Sequence, residues 1–221
     1  MARALVIGAS GGIGAAIEGE LAQRGYDVTG LSRSTDGLDV TDEARIAETL
    51  GALEGPFHRI VVATGALVID GHEPERAVRD VTEDGFLNQF RVNALGPMLV
   101  LKHALRLMPK AEPSVFAALS ARVGSIGDNQ IGGWHSYRAS KAALNQLIHG
   151  AAIEMQRTHK QAIAVCLHPG TVETPFTAKY AGRNKTVPAG EAATNLVNVI
   201  DGLTPAQSGG FFDYAGKEIP W

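Results

Sequence analysis

The chain has 221 residues, 45% hydrophobic and 19% charged, enough to bury roughly three-quarters of its unfolded surface in one core. A formal charge of −3, a pI near 6.2 and the lack of any Lys/Arg run exclude the phosphate-neutralising surface of a nucleic-acid binder. Cys166 is the single cysteine, so an internal disulfide framework is excluded, no Cys/His metal spacing exists, and a reducing, cytoplasmic setting is expected.

In chain order, residues 4–7 form a short apolar run ending in Gly8, too short for the apolar part of a leader. After a glycine cluster, Ile13, Ile17 and Leu21 recur at helical spacing until Gly25 stops the pattern. Residues 26–31 read as a second strand, Thr41 as the N-cap of a helix through Leu50, and residues 59–63 as a third strand. One long helical pattern covers 81–108; Lys102, His103 and Arg106 interrupt its apolar part, so no membrane span is expected. A strand over 115–119, a helix over 135–158, a strand over 162–167, a helix over 189–200 and a short strand over 210–213 complete the series. Strands that are apolar throughout are expected where helices cover both faces of a parallel sheet. The expectation is one doubly wound α/β Rossmann domain over 1–221, with a mainly parallel sheet of about seven strands. The irregular stretches 123–133 and 171–188 have the length of functional loops.

The first turn reads Gly8-Ala9-Ser10-Gly11-Gly12-Ile13-Gly14, directly after a strand and opening a helix. Glycines there let the backbone turn sharply and approach a pyrophosphate, whose charge is favoured by the unpaired N–H groups of the helix start. Gly8, Ser10, Gly12, Ile13 and Gly14 are therefore candidate cofactor contacts. Where an acidic residue would bind the ribose 2′-hydroxyl of NAD, the second strand ends in Leu31-Ser32-Arg33-Ser34, and Asp27 lies at its other end. A guanidinium forks onto a 2′-phosphate, so Arg33 and Ser32 favour NADP(H), with NAD(H) possible. Asp39 and Val40 are candidates to meet the adenine, and Asp39 equally suits the turn that starts the next helix.

In Tyr137-Arg138-Ala139-Ser140-Lys141 the phenol and the amine are four residues apart in a helical pattern, which sets them on one face. An adjacent ammonium stabilises a phenolate, so Tyr137 suits a general acid in carbonyl reduction or a general base in alcohol oxidation.

Gly8-xxx-Gly12-x-Gly14, Asn93 in Val92-Asn93-Ala94, Tyr137-xxx-Lys141 and Pro169-Gly170-Thr171-Val172-x-Thr174 together resemble the short-chain dehydrogenase/reductase superfamily over essentially the whole chain. From Arg122 through Gly132-Gly133-Trp134 to Lys141 the sequence resembles its C-factor and Sniffer-like carbonyl reductase group. The resemblance implies that Tyr137 donates the proton and that Lys141 holds the nicotinamide ribose and lowers the tyrosine pKa. It implies that Asn93 fixes a water in the proton relay, and that Pro169, Gly170, Thr171, Val172 and Thr174 cover the carboxamide end of the cofactor. It also implies a homodimer or homotetramer and a small carbonyl or alcohol substrate.

Two positions depart from the family pattern. The family's Asn-Ala-Gly after the third strand is Ala63-Thr64-Gly65, residues still expected at the cofactor, and its catalytic Ser-Ser pair is Ser120-Ala121. Ser120 stands one residue early and Ser125 lies in the following loop; either is a candidate to replace the missing hydroxyl. Trp134, His135, Phe176, Tyr180 and Trp221 are candidates to line an apolar pocket, with 176–188 as a lid. The leading expectation is an NADPH-dependent carbonyl reductase. A cofactor-binding signalling protein with little turnover is the alternative, and a cofactor-free interaction scaffold is the third reading.

Overall fold

The structure, a computed structural model, describes residues 1–174 and 186–221. Its strands are β1 (Arg3–Ile7), β2 (Asp27–Leu31), β3 (Arg59–Val62), β4 (Ser114–Leu119), β5 (Ala162–His168) and β6 (Phe211–Asp213). They form one sheet in the order β2-β1-β3-β4-β5-β6, parallel at every pairing. Among the described residues the sheet thus has six strands rather than about seven.

The apolar strands divide their side chains between two layers, because successive residues of a strand point to opposite faces. Leu5, Ile7, Ile60, Val62, Phe116 and Ala118 pack with α3 (Glu43–Gly51), α5 (Gly96–Ala104) and α6 (His135–Met155). Ala4, Val6, Val61, Val115, Ala117 and Leu119 pack with α1 (Gly12–Gln23) and α7 (Ala189–Gly202). Both faces are covered, which is why no polar alternation marks these strands.

Local chemistry moves some expected boundaries. The N-cap of α3 is Asp42, not Thr41: Asp42 Oδ1 accepts the amides of Ala44 and Arg45 at 2.9 and 3.2 Å, while the Thr41 hydroxyl donates to Asp39. A carboxylate one residue later reaches the free amides of the first turn, so it takes the cap. The long pattern over 81–108 is not one α-helix. It runs as α4 (Glu83–Phe90), a π-helical turn over Arg91–Leu95 and α5. Pro97 has no N–H to give the carbonyl four residues back, at Asn93, and its ring crowds that carbonyl. The Gly96 amide bonds Arg91 O instead, five residues back, which makes the wider turn. Between β2 and α3 lies a single helical turn, α2 (Arg33–Asp36), which the periodicity did not announce.

Strand order reverses between β1 and β3, and ligands of such sheets bind in the crevice outside the carboxyl ends of the strands at that point. Gly8 follows β1 and Ala63-Thr64 follow β3; a Cβ on Gly8 would lie 3.1 Å from the Ala63 carbonyl carbon. The two loops therefore meet at the head of the crevice.

Candidate active site

The glycine turn is shaped by contacts that only a hydrogen side chain permits. A Cβ at Gly14 would lie 2.1 Å from Gly8 O, well inside any allowed contact, so the helix start packs directly on the turn. Gly8 sits at φ +91° and its amide donates to Leu31 O at 2.7 Å, tying the turn to the end of β2. Ser10 and Gly12 are exposed on the open side. A Cβ at Gly12 would come within 2.9 Å of the Thr174 methyl, so the loop after β5 overhangs the turn. Thr64 Oγ1 is buried without a hydrogen-bond partner among the described residues, beside Gly8. An open, glycine-shaped cradle with an unsatisfied hydroxyl at its edge fits a bound nucleotide.

At the end of β2, Ser32 caps α2: its hydroxyl accepts the Thr35 amide at 3.2 Å. Arg33 projects outward with 80% of its side chain exposed and, among the described residues, only a long contact, 3.9 Å, to Asp39. Asp39 accepts the hydroxyl and amide of Thr41, and those bonds, with Arg33 nearby, hold its carboxyl below the usual range. Of the two roles open to Asp39 in the sequence, the turn is the one with observed bonds. Val40 is buried against Gly96.

Tyr137 and Lys141 stand on the buried face of α6, with the amine 6.0 Å from the phenol ring centre. Burial raises the Tyr137 pKa and pushes the Lys141 amine down to about 8. Lys141 Nζ donates to Leu119 O at 2.9 Å. Asn93, fully buried in the π-helical turn, accepts the Ala66 amide at 2.9 Å and donates to Ala66 O at 2.8 Å and to Gln89 Oε1 at 2.6 Å. Gly65 lies between the two groups: its missing Cβ would be 3.1 Å from Asn93 Oδ1 and 3.3 Å from Lys141 Nζ.

A cavity of about 440 Å³ joins these elements. Ile13 lines it from the glycine turn, Tyr137 and Arg138 from α6, and Pro169, Gly170, Thr171 and Val172 from the loop after β5. Leu67, Val123, Ile131 and Trp134 make the rest largely apolar. Trp221 is not part of it; its ring packs on Phe211 and His149 instead. His135 opens α6 outside the lining, whereas Phe176 and Tyr180 lie outside the described residues. The near end of the expected lid, Thr186 and Val187, is held against the loop after β5, where Val187 bridges Val172 and the Thr186 hydroxyl donates to Glu173.

The missing hydroxyl is not made good by either candidate in this conformation. Ser120 reaches the cavity wall, but its Oγ donates to Asn145 Oδ1 at 2.7 Å. Ser125 Oγ donates to Pro220 O at 2.5 Å and accepts the Asp128 amide. Lining the same cavity as Ala121 is a group the sequence did not single out, His168 at the end of β5, whose Nδ1 is buried without a partner among the described residues. Burial and Arg122 push its pKa down to about 4, against the pull of Asp213, so the imidazole is neutral. Its place at the carboxyl end of a strand, just before Pro169, was the available signal.

The family described as enoyl-(acyl carrier protein) reductase matches residues 37–202. Over its full length, and that of its relative, the chain is 31% identical to the 1-hydroxy-2-glutathionyl-2-methyl-3-butene dehydrogenase of Rhodococcus sp. (strain AD45), with 100% of each covered. The chain belongs to the short-chain dehydrogenase/reductase superfamily. Its likeness to C-signal of Myxococcus xanthus is 37% identity over 145 residues, covering 66% of this chain and 84% of that protein. Among solved structures of short-chain dehydrogenases/reductases, one from Burkholderia multivorans, determined with bound NADP, is 28% identical with a TM-score of 0.85, covering 100% of this chain and 99% of that one. The carbonyl reductase Sniffer of D. melanogaster shares the fold at a TM-score of 0.82 and 20% identity, with 100% of each chain covered. As a short-chain dehydrogenase/reductase the chain is an oxidoreductase by family, and no helix among the described residues is long and apolar enough to cross a membrane.

Proposed function

We propose that this protein is an NADP(H)-dependent reductase of small, largely apolar carbonyl compounds, working in a reducing, cytoplasmic setting. The observation that carries the proposal is that one cavity is lined together by Tyr137, the loop Pro169–Val172 and Ile13 at the end of the glycine turn. Gly8, Ser10, Gly12, Ile13 and Gly14 would hold the pyrophosphate, Arg33 the 2′-phosphate, and Thr64 with the loop 169–174 the remaining polar edges. The bound nicotinamide supplies the hydride.

Tyr137 gives its phenolic proton to the carbonyl oxygen as the carbonyl carbon is reduced, so charge does not accumulate on the substrate. Burial keeps the phenol protonated, which suits the acid role. Lys141, still mostly an ammonium at neutral pH, lowers the cost of the phenolate left behind. Asn93 fixes the turn that carries Gly65 and Ala66 beside the amine. In our reading the neutral His168 takes over the second hydrogen bond to the carbonyl oxygen that Ala121 cannot make.

The alternative is a cofactor-binding signalling protein with little turnover. It is favoured by Ala121 together with the engagement of Ser120 and Ser125 elsewhere. One experiment separates the two: NADPH consumption with a panel of aldehydes, ketones and quinones, for the natural chain and Tyr137→Phe. Turnover that Tyr137→Phe abolishes, with NADPH binding retained, supports the reductase; equal binding and no turnover by either protein supports the signalling role.

A further inference from the structure

The helix that carries Tyr137 and Lys141 begins without a cap of its own. Its N-cap residue is Trp134, whose side chain offers no capping hydrogen bond and whose backbone is left-handed, at φ +51°. Gly132 and Gly133 precede it at φ +70° and +65°. A non-glycine residue in that region is strained and persists only where its surroundings fix it.

What fixes it comes from another part of the chain. The segment after β3 crosses to the start of α6, and there Glu75 makes three bonds. Its carbonyl oxygen accepts the Trp134 amide at 2.6 Å, Oε2 accepts the Ser136 amide at 3.2 Å, and Oε1 accepts the Ser136 hydroxyl. Glu75 is buried, and it forms no ion pair among the described residues. A carboxylate at the positive end of a helix, bonded to a free amide, does the work of a missing N-cap. Tyr137 is the next residue, with its ring edge-on to Trp134 at 6.2 Å. The same segment is gripped at its other end by Asn93, through both polar groups of Ala66, and by Gln89, which donates to Leu67 O at 2.9 Å.

We propose that Glu75 is a positioning residue for Tyr137: it caps the catalytic helix from outside and sets its first turn in register with the Asn93 turn and the cavity wall at Leu67. The inference rests on the reductase reading for its consequence in turnover, and not for the cap itself. Glutamine at 75 keeps a side-chain oxygen acceptor of the same reach; alanine keeps only the backbone carbonyl that accepts the Trp134 amide, and loses both bonds to Ser136.

The test compares Glu75→Ala, Glu75→Gln and Tyr137→Phe with the natural chain, by amide hydrogen exchange of the peptide spanning 134–141 and by steady-state NADPH oxidation. Glu75→Ala is expected to speed exchange at the start of α6 roughly tenfold and to lower kcat by a similar factor. KM for NADPH and exchange in the sheet stay unchanged, and Glu75→Gln recovers most of both losses. Unchanged exchange at 134–141 in Glu75→Ala overturns the cap. Faster exchange with undiminished kcat, while Tyr137→Phe is inactive, overturns the positioning role. A fall in kcat explained entirely by loss of folded protein, with exchange raised everywhere, also overturns it. If the natural chain turns over no carbonyl, the reductase reading falls with the turnover half of the inference, and the exchange data still decide the cap.

Discussion

Lys141 should make the cofactor-free protein more stable as pH rises above neutrality. Its amine, near 10.5 in an ordinary lysine, is pushed down to about 8 by burial. Below about 8 the amine is charged in both states and the folded state bears the whole desolvation penalty; above 10.5 it is neutral in both and the penalty is gone. The unfolded chain holds the extra proton between those values, so unfolding free energy climbs by about 1.4 kcal/mol per pH unit across that window and by roughly 3 kcal/mol in all. Two neighbours oppose the trend at its upper end. Cys166, pushed up to about 12 from an ordinary 9.0, keeps its proton when folded, and Tyr137, raised above its ordinary 10.0, does the same. Both withdraw stability as pH rises through their unfolded values, so the net gain is confined to the interval from about 8 to 9. The measurement is urea unfolding of the apo protein and of Lys141→Met across that range. The natural chain should gain on the variant by about 1.4 kcal/mol per unit there, because loss of the bond to Leu119 O shifts the variant by a pH-independent amount. An unfolding free energy of the natural chain minus that of the variant that stays flat, or falls with rising pH, would refute the burial argument.

Gly14→Ala should remove NADPH binding, measured by quenching of intrinsic fluorescence, and destabilise the fold by roughly 2 kcal/mol or more, because its Cβ would lie 2.1 Å from Gly8 O. Arg33→Ala should weaken NADPH by about tenfold in the same titration while leaving NADH unchanged; an equal loss for both cofactors would mean that the exposed guanidinium does not read the 2′-phosphate. His168→Leu should lower kcat by roughly tenfold to a hundredfold at constant NADPH affinity, with no effect on the pH profile above about 5, since the imidazole is neutral there. An unchanged kcat would return the second hydrogen bond to a serine or to water.

Most of the fold was legible because its signals are local. Apolar runs such as 4–7 and 115–119 need only their own residues to announce a strand covered on both faces, and the glycines between Gly8 and Gly14 announce a close backbone approach. The π-helical turn at Asn93 was hidden because one extra residue per turn barely disturbs an apolar period, although Pro97 carried the clue. The cap of α3 was missed by one position because both Thr41 and Asp42 are capping residue types, and only geometry tells which oxygen reaches the amides. At the site, Tyr137 and Lys141 were legible from their spacing and their neighbours in the chain. Glu75 was not, since its partner Ser136 lies 61 residues away and nothing in the irregular segment around it has a period. The engagement of Ser125 by Pro220, across 95 residues, was unreadable for the same reason.

The division of the strand side chains into two layers limits where this protein can change. Deleting one residue inside β4 would carry Phe116 from the layer of α3, α5 and α6 into the layer of α1 and α7, and send every later side chain of the strand to the wrong face. Changes of length are therefore tolerated outside the strands, and three loops at the carboxyl rim, after β3, β4 and β5, carry cavity lining at Leu67, at Ala121–Val123 and at Pro169–Val172. New substrate preferences can be acquired there by lengthening or shortening loops, provided that Ala66 and Glu75 keep their bonds to Asn93 and to the start of α6.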